Sequence, residues 1–278
     1  MGKIIWLASY PKSGNTWLRA FLHNLLRDPR EGYDINRMTD FSFSDSAIEI
    51  FQPFLKRPWQ EWTQQDVTNT RWAAQRYICG KKIDDQFVKT HNCMIEYGGK
   101  PMIYPEFTAG AIYVVRNPLD VAISLAHHYV VDQDEAIRIL NNPANGTLGD
   151  ERLVFEIHRS WNLHVASWTE QIVPSKLIVR YEDMLEQPRQ TFGKIARFLG
   201  LKPTADRLIR AIENSSFDKL RKQEDKQGFV ERPPKASKFF RSGKANQWRD
   251  VLTPEQVDRV VEANREQMKR WGYLPLPK

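Results

Sequence analysis

Between Tyr10 and Trp17 the chain reads Tyr-Pro-Lys-Ser-Gly-Asn-Thr-Trp, which brings the charge of Lys12 together with side-chain donors from Ser13, Asn15 and Thr16. Gly14 supplies the backbone freedom a tight turn needs. An apolar run, Ile4 to Ser9, precedes this segment, and a helical spacing of Trp17, Leu18, Phe21, Leu22, Leu25 and Leu26 follows it. The donors therefore stand where a strand hands over to a helix, and the free N–H groups of that helix start make a site for a phosphate or sulfate group. The ATP-binding loop GxxxxGK[ST] places lysine after its last glycine and follows it with a magnesium-binding hydroxyl. Here Lys12 precedes Gly14 and the loop is shorter, so the order is a different one.

Three further constellations carry chemistry. Val115-Arg-Asn-Pro-Leu-Asp-Val-Ala-Ile-Ser124 is again a strand end running into a helix, with Arg116 at the strand's carboxyl end and Ser124 about two turns into the helix. Ligands in open α/β sheets gather at that edge, so the pair can converge on one anionic group. Asn117 and Asp120 read as helix-capping residues. Phe239-Phe-Arg-Ser-Gly-Lys244, followed by Asn246-Gln-Trp248, lies in a basic stretch whose plain meaning, taken alone, is a solvated charge run. Lys89-Thr-His91 ends another apolar run, and of the six histidines only His91 stands at such an end, where a general base is useful. His23, His127, His128, His158 and His164 fall in helical patterns.

The elements that must position these groups follow from periodicity. Phe87–Thr90, Ala111–Val115 and Lys176–Arg180 read as strands buried on both faces, with helices starting near Pro118 and spanning about 151–170, 192–199, 204–213 and 254–271. Thr253 with Gln256 has capping-box spacing, and Pro254 takes the first helical position. Residues 41–82, with Trp59, Trp62 and Trp72, read as irregular structure and short helices over one end of the sheet, the tryptophans packing rather than stacking on a ligand. Residues 222–245 read as a mobile basic loop. The expected fold is α/β: one domain over residues 1–278, a parallel sheet flanked by helices on both faces and a helical C-terminal part.

Composition narrows the classes. With 278 residues, 41% hydrophobic and 27% charged, the chain has apolar mass for a large core, which excludes disorder and fibrous repeats. Forty-one Lys and Arg against 34 Asp and Glu give a net charge of +7, which favours an anionic ligand without demanding nucleic acid. The run Ile4 to Ser9 is too short for a membrane span or a signal-peptide core. Cys79 and Cys93 are too few and too far apart for a disulfide framework or a CxxC pair, so a reducing cytoplasm is the expected location.

Tyr10–Trp17, Lys89–His91, Arg116–Ser124, Tyr181-Glu-Asp-Met184, Ser215–Phe217 and Arg241–Gly243, in this order, resemble the sulfotransferases that use 3′-phosphoadenosine 5′-phosphosulfate (PAPS), over nearly the whole chain. The resemblance implies a parallel sheet related to P-loop kinases. It implies that Lys12 meets the bridging oxygen and 5′-phosphate while Ser13, Gly14, Asn15 and Thr16 hold the phosphosulfate. Trp17 would stack on adenine, with Tyr181, Ser215 and Phe217 around the base. Arg116, Ser124, Arg241 and Gly243, with Ser242 beside them, would bind the 3′-phosphate, and His91 would be the base. Asn15 stands where cytosolic members usually carry threonine, and Ser242 where they carry lysine. The segment matching their dimer signature, Arg249 to Asp258, has Arg249, Pro254 and Asp258 for the usual Lys, Val and Glu, so the oligomeric state stays open.

The implied reaction moves a sulfuryl group from PAPS to a hydroxyl of a small acceptor. His91 takes the proton, Lys12 neutralises the leaving oxygen and Lys89 supports the same charge. No acidic pair accompanies the loop, so a metal-free reaction is expected. Aromatic residues in 41–77, Tyr104–Phe107 and His127–Val131 suggest an apolar or aromatic acceptor, with 41–85 and 125–150 on the acceptor side. Two rivals remain open: an ATP-using kinase, which needs the other lysine order, and a nucleotide-binding module without chemistry, which needs no base.

Overall fold

Each apolar run of the sequence is separated from the next by enough chain to return to the same edge, and the runs therefore pair in parallel. A computed structural model describes residues 1–276; the last two residues of the expected 1–278 domain lie outside the described part. In chain order, β1 (Ile4–Ser9) leads through the Lys12 turn into α1 (Asn15–Arg27). Then come β2 (Ser42–Ser44), α2 (Ile48–Phe51), α3 (Gln64–Gly80) and β3 (Gln86–Thr90). A small hairpin of β4 (Glu96–Tyr97) and β5 (Lys100–Pro101) precedes β6 (Thr108–Val115), α4 (Pro118–Tyr129) and α5 (Gln133–Asn141). A second hairpin, β7 (Gly146–Gly149) and β8 (Val154–Ile157), leads to α6 (Trp161–Glu170), β9 (Lys176–Arg180), α7 (Tyr181–Glu186) and α8 (Pro188–Phe198). The C-terminal part holds α9 (Ala205–Asn214), α10 (Phe217–Gln227), α11 (Trp248–Val251) and α12 (Pro254–Arg270).

The central sheet has the order β2-β3-β1-β6-β9, with every neighbouring pair parallel. Alternation along the strands divides the core in two. Ile4, Trp6 and Ala8 of β1 and Ala111, Tyr113 and Val115 of β6 face one layer, which α3, α4, α6 and α12 cover. Leu7, Ile112 and Val114 face the other, packed by α1, α8 and α9. The fold is thus the flanked parallel sheet that the sequence predicts. Register matters for function: Ala8 pairs with Thr90 and Ser9 with Val114, so the Lys12 turn, His91 and Arg116 leave the sheet at one edge.

Several expected boundaries change. The helix expected over 151–170 is the second strand of a hairpin followed by a shorter helix, because Val154, Phe155 and Glu156 are buried in extended backbone and the helix starts only at its cap, Ser160. Residues 41–82 contain the edge strand β2 and the 17-residue α3, whose Thr63–Asp66 capping box starts it. The helix was hidden because Arg71 and Gln75 occupy its buried face beside Val67, Ala74 and Ile78. Lys222–Gln227 of the basic segment completes α10, and α8 begins at Pro188 rather than Phe192. Trp59 and Trp62 pack against the core, whereas Trp72 is exposed and donates to Glu106 Oε1 at 2.9 Å. Tyr104 and Phe107 are core residues too. Cys79 and Cys93 are buried free thiols. Among the described residues no helix is long and apolar enough to cross a membrane.

Phe192 of α8 closes the second layer, 4.2 Å from the Phe21 ring and 5.5 Å from that of Trp17. Truncating Phe192 to alanine is expected to cost about 3–5 kcal/mol, read from the urea midpoint at unchanged slope.

Candidate functional site

The strand edge opens into a cleft of about 860 Å³, lined by residues from the Lys12 turn, α1, α4, the β7–β8 hairpin and the basic segment. That volume lies within the range that holds small ligands and cofactors. At its floor Lys12 adopts φ +66°, a left-handed conformation uncommon outside glycine, and Gly14 follows at φ +108°. A Cβ on Gly14 would stand 2.7 Å from the Tyr181 ring, so the turn admits no larger residue without displacing it. Gly14 caps α1 without a side-chain hydrogen bond, and no acidic residue occupies the first turn. The helix therefore presents unpaired N–H groups and its positive end to the cleft. Asn15 turns inward, donating to the Leu7 carbonyl at 2.8 Å, so its amide secures the turn.

Positive charge concentrates around this turn. Lys12 Nζ lies 3.4 Å from His128 Nδ1 and 4.0 Å from the centre of the Phe239 ring. Burial, and then the charges of Arg116 and Lys89, push the Lys12 ammonium down to about 7. Arg116 is buried; it donates to the Lys12 carbonyl at 3.0 Å and the Lys244 carbonyl at 3.2 Å, and lies over the Tyr181 ring. Its Nε has no protein partner. Arg241 donates to Gln247 Oε1 at 2.8 Å, and its pKa is lowered by burial and by Arg116. Asp120 of α4 anchors the basic segment, accepting from the backbone N–H of Asn246 at 2.7 Å and Trp248 at 3.2 Å. Glu224 of α10 does the same for Phe239 and Phe240. Gly243, at φ +64°, lies so close to Phe217 that a Cβ would be 2.3 Å from its ring.

On the other side stands His91, half-buried. Its Nδ1 lies 2.8 Å from the Ser9 carbonyl, which can only accept, so Nδ1 carries the proton and Nε2 keeps its lone pair. Burial, then Lys89, hold the imidazolium down to about 3, well below its ordinary value, so the ring is neutral at physiological pH. The His91 carbonyl accepts from His164 Nε2 at 3.0 Å, and His164 Nδ1 accepts from the Tyr113 hydroxyl at 2.8 Å. Lys89 Nζ is 3.8 Å from Glu231, which pairs with the buried Arg19 at 2.7 Å.

Of the residues singled out in the sequence, Lys12, Gly14, Asn15, Thr16, Trp17, Lys89, His91, Arg116, Ser124, Tyr181, Phe217, Arg241, Ser242 and Gly243 line one cleft. Ser13 and Ser215 do not line it. Ser13 Oγ is buried without a protein partner, and the Ser215 hydroxyl donates to the Ala211 carbonyl at 2.8 Å within its own helix end. His91 does not stand alone, since His128 and His158 line the same cleft, and His158 follows β8 rather than lying in a helix. Glu156 and Glu231 were also missed. Chain order gave no signal for them, because a strand end and a loop reach the cleft only through folding. Among the described residues no cluster of three or more His, Cys, Asp and Glu side chains has a metal-holding arrangement.

The sulfotransferase domain family model matches residues 3–272. Mouse sulfotransferase 1E1 is 27% identical over 95% of this chain and 82% of its own length, and cytosolic sulfotransferase 13 of Arabidopsis thaliana is 25% identical over 95% and 76%. The fold resembles mouse sulfotransferase SULT7A1 complexed with PAP, at TM-score 0.63 and 21% identity over 96% of this chain and 85% of that one. It also resembles retinol dehydratase in complex with androsterone and PAP, at 0.66 and 20% over 99% and 82%. With the family model covering nearly all of the chain and the Lys12 turn in place at the sheet edge, this protein belongs to the sulfotransferase family.

Proposed function

We propose that the chain moves a sulfuryl group from PAPS to a hydroxyl of a small acceptor, with His91 as base and Lys12 at the leaving group. The observation that carries this reading is one cleft holding an uncapped helix start with Lys12, Arg116 and Arg241 on one side and, beside Lys89, a neutral imidazole lone pair on the other. The donor set fits PAPS. Burial and the charge of Arg116 both work against the charges of Lys12 and Arg241, a state that a multiply charged anion relieves.

Lys12, Ser13, Gly14, Asn15 and Thr16 would hold the phosphosulfate, with Ser13 contributing from beneath the turn. Arg116, Ser124, Arg241, Ser242 and Gly243 would hold the 3′-phosphate, and Trp17, Tyr181, Phe217 and, from behind, Ser215 would enclose the base. When bound, the nucleotide supplies an activated sulfuryl group. His91 Nε2 accepts the acceptor hydroxyl's proton, which only a neutral ring can do. A protonated Lys12 offsets charge on the leaving phosphate oxygen, and Lys89 adds to the same field.

Residues 41–85 and 125–150 form the acceptor side, and 228–245 the segment closing over the nucleotide. Phe43, Ile50 and Leu148 give that side apolar surface, and Leu153 adjoins it, which suits an apolar or aromatic acceptor. The two free thiols suit a reducing compartment such as the cytoplasm.

Charge-assisted hydrogen bonds contribute roughly 1.5–3 kcal/mol each, so adenosine 3′,5′-bisphosphate should bind about a hundredfold more tightly than AMP, and Arg241→Ala should lose most of that preference. Calorimetry on both nucleotides decides it, and equal affinities sink the donor-site assignment. His91→Ala should lower turnover by about two orders of magnitude or more while melting temperature and nucleotide affinity stay near wild type. Near-normal turnover would make His91 structural.

The Lys12 charge gives a pH signature. In the unfolded chain this amine keeps its proton to its ordinary value, whereas in the folded protein it loses it near 7; folding stability therefore gains with pH above 7 from this group. Anion binding needs the protonated form. Sulfate, which does not titrate in this range, should thus bind roughly tenfold more weakly at pH 8 than at pH 6, and Lys12→Met should flatten that dependence.

A further inference from the structure

Glu156 of β8 is 5% exposed yet lines the cleft beside His91. Its Oε2 accepts from His158 Nε2 at 3.2 Å. Its second oxygen, Oε1, is buried without a protein partner, and so is His158 Nδ1. Whichever protons His158 carries, Oε1 of the carboxylate is an acceptor that no protein donor meets. Unpaired buried acceptors are costly, and a ligand that brings O–H groups there gains what the free protein lacks.

The groups facing Glu156 come from several elements: His158 beyond β8, His91 and Lys89 at the end of β3, Arg71 of α3, Tyr129 of α4, His164 of α6, and Asp45 after β2. Burial opposes the charge of Glu156, but the hydrogen bond from His158 and the positive charge on this side of the cleft, Lys89 included, outweigh it and hold the carboxyl at about 2. The carboxylate is therefore an acceptor throughout the working pH range. A cationic group approaching it would meet Lys89 and Lys12, whereas a neutral hydroxyl meets no such repulsion. The rings of His91 and His158 lie 6.4 Å apart and nearly perpendicular, a gap that two hydroxyls on adjacent or alternate carbons can bridge.

We infer that Glu156, with His158, reads a second hydroxyl of the acceptor, so that the protein selects molecules whose reacting hydroxyl has another one or two carbons away. The inference rests on the sulfuryl-transfer reading and names the acceptor class of the same cleft. The apolar walls hold the carbon frame, His91 takes the proton of one hydroxyl, and Glu156 accepts a hydrogen bond from the other without exchanging its proton.

Phenol, catechol and resorcinol are the probes, titrated by ligand-observed NMR against the chain with and without saturating adenosine 3′,5′-bisphosphate. At least one of the two diols should bind roughly tenfold or more tightly than phenol, the worth of one hydrogen bond to a charged group. Glu156→Leu should erase the difference while phenol affinity stays within about threefold. Should the leucine variant fail to fold, Glu156→Gln, which keeps the volume and removes the charge, must still reduce the preference severalfold. Equal wild-type affinities, no binding by any probe, or a preference that survives substitution would overturn the inference. A structural carboxylate would lower the melting temperature and leave the preference intact. Nucleotide affinity, measured on the same samples, separates the two readings: its absence defeats the donor site, while the nucleotide-free titrations still decide the role of Glu156.

Discussion

Four cations, Lys12, Lys89, Arg116 and Arg241, held against one edge of a parallel sheet, are the constraint to which the rest of the site answers. Lys12, Lys89, Arg116 and Arg241 line one cleft, and the turn between them adds the positive end of α1. Such a cluster is costly in isolation, as the depressed Lys12 shows. The fold tolerates it because Arg116 spends two of its donors on the Lys12 and Lys244 carbonyls and stacks on Tyr181, and because Glu231 lies between Arg19 and Lys89. The remaining imbalance makes the cleft a receptor for a multiply charged anion.

The same charges explain how a basic segment far along the chain comes to belong to the site. A run of Lys, Arg, Gly and Pro has little reason to fold by itself. Here Asp120 and Glu224 each accept backbone N–H groups from it, and Phe229, Phe239 and Phe240 pack with Ala20, Ile35 and Leu220 in a third apolar cluster. Carboxylates on α4 and α10 thus hold the segment that carries Arg241 against the site, within the field of Arg116.

Around His91, electrostatics and hydrogen bonding divide the work. The Ser9 carbonyl fixes the His91 tautomer, and burial with Lys89 keeps the ring neutral. The imidazole therefore titrates well below its ordinary value, which favours the proton-accepting form but weakens its basicity. Under the proposed reaction the bound anion would offset part of the cationic field and raise that basicity. Glu156 and His158 line the same cleft as the apolar Phe43, Ile50 and Leu153.

Local chemistry alone determined the parallel sheet, the Lys12 turn, the Arg116 helix start and the capping box at Thr253. Each is a contiguous run whose periodicity, proline, glycine or capping residue acts on its own neighbours. Residues 151–170 were misread because Leu153 to Ile157 is a short apolar run that either a strand or a helix can use; only pairing with Gly146–Gly149 decided. Helix α3 was hidden because Arg71, which sequence logic assigns to the surface, is buried against Asp45. The depressed charges of Lys12 and His91, and the arrival of His128, His158, Glu156 and Glu231 at the same cleft, were decided by tertiary structure alone. Burial and through-space fields depend on which distant segments meet, and neither is written in the order of the residues.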